Sequence, residues 1–137
     1  SMEAIHEGVY IHGYQTNYPW NPLQVPPERA AWWAKQRAEE PGQMAIMAIF
    51  LEEARKAEQW VGLTPAALER KLQEKTGLLR WLLSFVCKKR PPEVLLHDLG
   101  SLQRSGLVTW ERSDEEVVFF PTPLLTAILA FEDHMPA

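Results

Sequence analysis

The sequence has a single cysteine, Cys87, in 137 residues. No internal disulfide can form, and a reducing, cytoplasmic home is the expectation. Long apolar runs are missing too. The longest, Met44 to Leu51, has 8 residues, against the roughly 18 to 20 that a bilayer-spanning helix needs, so no membrane partner is expected. The first residues, Ser1 to His6, have neither a basic start nor an apolar stretch, so a signal peptide is not expected, and Ser1 before Met2 has the look of a cloning remnant. The 7 glycines fall in no repeat, which excludes a collagen-like fibre. Of the 4 histidines, His6 and His12 are six apart, His97 falls in a helical pattern and His134 lies in the tail. Without i,i+4 spacing or a Cys-x-x-Cys partner they offer no metal site. There is no Gly-rich phosphate loop, no Gly-x-Ser-x-Gly elbow and no spaced acid pair in a plausible cleft, so neither an enzyme nor a cofactor is expected.

What is present is enough for one core. Apolar residues make up 46% of the chain and the net charge is only -4, a balance that folds rather than staying disordered. The charge is uneven. Residues 1 to 69 carry 9 acidic and 5 basic side chains, residues 70 to 90 carry 1 and 7, and residues 93 to 137 carry 8 and 2. The middle block, Arg70, Lys71, Lys75, Arg80, Lys88, Lys89 and Arg90, is either a solvated helix face or a local positive patch suited to phosphate.

Along the chain, Glu3 to Tyr18 holds β-branched and aromatic residues punctuated by Gly8 and Gly13, which predicts one short strand or an extended arm. Four prolines between Tyr18 and Pro27 make an extended strap. A helix is predicted from Glu28 to Ala38, stopping at Pro41-Gly42, and another over about Gln43 to Trp60. The second is apolar nearly all round at first, which asks for a central position or a subunit interface. Adjacent Trp32 and Trp33 lie about 100° apart on their helix, so only one can face the core. Trp32, Trp33, Met44 and Met47 are the candidate residues of a homodimer or partner interface, since one small core does not obviously absorb them all.

After Gly62 the signals sharpen. Thr64-Pro65 is a cap followed by a first-turn proline, Gly77 is a predicted stop, and Leu78 to Val86 reads as a separate apolar helix. Pro92 to Ser105 reads as a helix with Leu95, Leu99 and Leu102 on one face and a left-handed stop at Gly106. Its opposite face carries Glu93, His97, Gly100, Ser101 and Arg104. Leu107 to Arg112 and Val117 to Phe120 flank the polar turn Ser113 to Glu116 as a hairpin. Thr122-Pro123 repeats the cap-then-proline start for a last helix reaching about Glu132. Cys87 beside Lys88 and Lys89 reads as a buried, inert thiol ahead of a redox sensor.

This order, with Leu99-Gly100-Ser101-Leu102-Gln103-Arg104-Ser105-Gly106-Leu107-Val108 as its most specific piece, resembles the winged helix-turn-helix domain of bacterial regulators of the MarR and PadR type over about residues 63 to 132. The resemblance implies a mainly α fold with a small β-hairpin, a winged helix-turn-helix with extra N-terminal helices. In domain terms it gives an N-terminal strap and helices over 1–62 on a winged-helix domain over 63–137. It implies a DNA-binding regulator of transcription in which the helix from Pro92 to Ser105 enters the major groove. His97, Ser101 and Arg104 would then lie near base edges, while Lys88, Lys89 and Arg90 hold phosphates. Winged-helix domains also dock proteins, and the acidic turn Asp114-Glu115-Glu116 suits that use. The alternative expectation is therefore an adaptor without direct base readout in a transcription, replication or other multi-subunit complex.

Overall fold

The computed structural model describes residues 2–12, 28, 31–33, 35, 39–83 and 92–134. Strands β1 (Met2–His6), β2 (Val9–His12), β3 (Gly62–Leu63), β4 (Val108–Ser113) and β5 (Glu116–Pro121) form one sheet of order β1-β2-β3-β5-β4, antiparallel throughout. Helices α1 (Pro41–Ala57), α2 (Pro65–Leu83), α3 (Pro92–Arg104) and α4 (Pro123–His134) complete the described elements, with helical residues at 28, 31–33, 35 and 39 before them.

A mainly α chain with a small hairpin, a winged helix-turn-helix carrying only extra helices at its N-terminus, is therefore not what forms. The sheet has five strands, and its N-terminal part is itself a hairpin. The single strand expected over residues 3–18 is broken by the two-residue turn Glu7-Gly8, where Gly8 has φ +73. The remainder of that stretch beyond His12, like the proline strap, lies outside the described residues. Four boundaries also move. Pro41 opens α1, two residues ahead of the expected start at Gln43, and α1 stops at Glu58, whose φ of 56 turns the chain left-handed. Helix α2 runs through Gly77 without a break, because one helical glycine costs only about 1 kcal/mol against alanine. The polar turn between β4 and β5 is two residues long, Asp114-Glu115, and closes on Ser113 opposite Glu116.

Other local signals act as expected. The Thr64 Oγ1 accepts from the Ala67 amide at 3.1 Å, capping α2 ahead of Pro65. Gly106, at φ +77, ends α3, and the Leu107 amide donates back to the Leu102 carbonyl at 2.9 Å. Thr122 caps α4, with the Leu125 amide 3.4 Å from its Oγ1.

One face of the sheet meets the helices. Val9, Leu63, Val108 and Phe119 join Ile46, Phe50, Leu95, Leu99, Leu102 and Leu125 in a single buried cluster that draws on the N-terminal hairpin and on residues far beyond it. Helix α1 is central, with Ile46, Met47, Ile49 and Phe50 at most 2% exposed. The other face carries Val118 and Phe120. Both are buried, yet neither belongs to that cluster. Gly62 makes this possible: a Cβ there would lie 2.5 Å from two ring carbons of Phe120 and 2.7 Å from the Val118 Cγ1. The ring lies across β3 in the space that a side chain would take.

Candidate nucleic-acid interface

Helix α3 sorts its side chains by spacing. Leu95, Leu99 and Leu102 are buried at 5%, 1% and 0% exposure, which fixes the helix against the core at roughly 25 cal/mol per Å² of apolar surface removed from water. At about 100° per residue, the arc on the opposite side holds Glu93, Leu96, His97, Gly100, Ser101, Gln103 and Arg104, each exposed or half-buried. His97, Ser101 and Arg104, at i, i+4 and i+7, share one stripe of that arc, as the sequence pattern requires. Arg104 folds back along the helix. Its Nη2 donates to the Ser101 Oγ at 3.2 Å, and its Nη1 lies 3.2 Å from where a Cβ on Gly100 would stand. The guanidinium is thus held on the surface of α3 by one short neutral partner and remains exposed.

The ribbon beside α3 presents different chemistry on its two faces. Directly opposed residues of antiparallel strands point to the same side. Trp110 opposes Phe119 and Arg112 opposes Val117, and Phe119 lies in the helix-side core. Trp110 and Arg112 therefore share the sheet face on which α3 packs. Glu111, Ser113 and Glu116 belong to the other face, and there two carboxylates are engaged by the N-terminal hairpin. The Tyr10 hydroxyl donates to the Glu116 Oε2, and the His12 Nε2 lies 3.1 Å from the Glu111 Oε2. The His12 ring also meets Phe120 edge-on, with centroids 5.7 Å apart. The hydrogen bond to Glu116 holds the Tyr10 phenol above its ordinary pKa, with burial and the charges of Glu116 and Asp114 adding to the effect.

The site residues expected from the sequence divide accordingly. His97, Ser101 and Arg104 come together on α3. Lys88, Lys89 and Arg90 lie outside the described residues, as does Cys87. Trp33 and Met47, expected at an interface, are 5% and 0% exposed and fill the chain's own core, while Trp32 and Met44 are half-buried beside it. Sequence reasoning missed the two faces of the ribbon and the grip of Tyr10 and His12. Strand alternation alone separates Trp110 and Arg112 from Glu111, but no local pattern foretells a contact between residues 10 and 116.

Among the described residues no group of three or more His, Cys, Asp or Glu could hold a metal ion, and no helix is long and apolar enough to cross a membrane. No family model, curated protein or solved structure matches the chain.

Proposed function

We propose that the chain is a cytoplasmic regulator of transcription that binds duplex DNA through α3. The observation that carries this reading is the stripe of His97, Ser101 and Arg104, exposed at His97 and Arg104 and half-buried at Ser101, on a helix whose other side is anchored by three buried leucines. The order of α3 followed by the β4–β5 ribbon also fits the resemblance to winged-helix regulators. In the proposed complex α3 lies in the major groove. Arg104 swings off Ser101 to meet guanine O6 and N7, and His97 and Ser101 meet neighbouring edges. Lys88, Lys89 and Arg90, just before the start of α3, neutralise phosphates. Arg112 reaches the backbone from the α3 side of the ribbon. Glu111 and Glu116, two of the ribbon's four carboxylates, belong to the other face and are held by His12 and Tyr10, while Asp114 and Glu115 stay at the turn.

The test is a titration of labelled random duplex at low and moderate salt. Phosphate contacts make affinity fall steeply with salt, with a log–log slope near -0.9 for each phosphate neutralised. Replacing Lys88, Lys89 and Arg90 by Ala flattens that slope, and Arg104→Ala lowers affinity for a selected site by about 1 to 3 kcal/mol. No complex at low salt overturns the reading.

A second reading has its own observation. Leu96, on the same arc of α3, is 56% exposed, and Trp110 on the ribbon is 47% exposed. Both are large apolar groups, and Trp110 stands on the ribbon that ends in the acidic turn at Asp114 and Glu115. They suit a protein partner in a transcription or replication complex, and such docking would be nearly insensitive to salt and lost in Leu96→Glu.

A further inference from the structure

The sheet ends at β4, and among the described residues no strand pairs with its outer edge. Natural edge strands are usually blunted by bulges, prolines, charged side chains or short length, because an open row of amides and carbonyls recruits another strand. The far edge is blunted in this way: β1 shifts register between Ala4 and His6. Strand β4 has no such bulge. It has six residues, Val108–Ser113, in unbroken register with β5, with no proline, glycine or lysine. Four consecutive residues, Thr109 to Arg112, are exposed, and Trp110 stands 47% open.

We infer that β4 pairs antiparallel with β4 of a second copy of this chain, joining two five-stranded sheets across a two-fold axis at Trp110. The register follows from backbone parity. A two-residue turn closes on a pair that exchanges both backbone hydrogen bonds, here Ser113 with Glu116. Counting back, Glu111 and Thr109 also direct their backbone groups toward β5, while Arg112, Trp110 and Val108 direct theirs to the open edge. Antiparallel strands join outward-directed residues only to one another, so the axis must pass through a residue and never between two. Centring on Glu111 or on Arg112 sets like charges face to face, which is destabilising. Centring on Trp110 sets the indole beside its own copy, Glu111 beside Thr109 of the second copy and Arg112 beside Val108 of the second copy. No like charges oppose, and the largest exposed apolar group of the ribbon is covered.

This pairing does not rest on DNA binding; either can fail without the other. One strand pair with one indole from each copy falls at the small end of specific interfaces, so the dimer forms as concentration rises. It also differs from an interface through Trp33 and Met47, which lie inside the chain's own core.

The experiment is sedimentation equilibrium of the full chain without DNA, from micromolar to hundreds of micromolar. The expected result is a reversible monomer–dimer equilibrium. Arg112→Pro deletes one outward amide while sparing those directed to β5, and it abolishes the dimer with the thermal melt kept. Should that variant unfold, Trp110→Lys supplies the second measurement, because two like charges then meet on the axis and dissociation rises at least tenfold. A monomer at every concentration overturns the inference. So does a dimer that neither substitution weakens, since its interface then lies elsewhere.

Discussion

The phenol of Tyr10 donates a hydrogen bond to the Glu116 carboxylate, joining positions 106 residues apart in the chain. Strand β2 is separated from β5 by β3, so the tyrosine reaches across the two-residue strand Gly62–Leu63 to arrive there. With His12 on Glu111 it latches the N-terminal hairpin to the face of the ribbon away from α3. Tyr10→Phe should speed amide exchange at Val117 to Phe120 and leave exchange in α1 unchanged, since α1 packs on the opposite face. The pH dependence has a definite sign. A phenol whose pKa is raised by folding contributes stability that is complete below the unfolded value of about 10 and is lost as pH rises through the folded value. Alkaline melts of the wild type and Tyr10→Phe should therefore converge above that range, and parallel curves would show that the latch is not felt.

Gly62→Ala tests whether the ring of Phe120 depends on an empty position. The added methyl would lie 2.5 Å from the ring, so either the ring or β3 must move, and overpacking of this kind costs about 1 to 3 kcal/mol. The cost should shrink in the double variant Gly62→Ala with Phe120→Leu, relative to the sum of the single changes. Denaturant melts of the four proteins give the coupling directly.

How much of this was legible in the sequence depends on the range of the interaction. The Thr64-Pro65 and Thr122-Pro123 starts, the Gly106 stop, the leucine face of α3 and the β4–β5 ribbon are set by residues within four or five positions of one another, and each occurs where the pattern placed it. The His97, Ser101 and Arg104 stripe follows from the same helical period. Strand β3 has two residues, too few for any alternation to register, and exists because Gly62 admits Phe120 from a strand 58 residues on. The β1–β2 hairpin was hidden for a related reason. Glu7-Gly8 is a weak turn signal, and β1 is mostly exposed, so it lacks the apolar alternation that marks a half-buried strand. Gly77 misled in the opposite direction, since a single glycine costs a helix only about 1 kcal/mol against alanine and need not end it.

Glu53 is the buried charge on which α1 and α2 meet. Its carboxylate is 6% exposed and lies 2.7 Å from the Lys71 Nζ and 3.2 Å from the Lys56 Nζ. Burial opposes its ionisation more than any other single influence, yet the two lysine hydrogen bonds and their charges together hold its pKa below the ordinary value. Glu53→Gln keeps the volume and leaves Lys71 without its counter-charge. The loss should approach the lower end of that for a broken buried pair, about 3 kcal/mol at neutral pH. A depressed carboxyl contributes stability that is complete above its unfolded pKa and fades as pH falls through the folded value. The gap between wild type and Glu53→Gln should thus be constant from neutral pH down to about 5 and close in stronger acid. A gap that widens on acidification would mean that the lysines do not outweigh burial.

Gly106→Ala makes the contrasting case to Gly62→Ala, because the same methyl meets a different obstacle. Among the described residues beyond its chain neighbours, no atom lies within 4 Å of the added carbon, but the backbone stands at φ +77, where a side chain costs roughly 1 to 2 kcal/mol. The penalty is conformational and local, so shrinking a neighbour should not relieve it. Gly106→Asn should recover part of it, since asparagine tolerates the left-handed region better than alanine. The position also carries a tie between elements: the Thr122 Oγ1 donates to the Gly106 carbonyl at 2.7 Å, linking the end of α3 to the start of α4. Thr122→Val removes that donor together with the cap on the Leu125 amide, and should cost about 1 kcal/mol. If the two substitutions act through the same junction, their combined effect should fall short of the sum, and urea melts of the single and double variants would decide it.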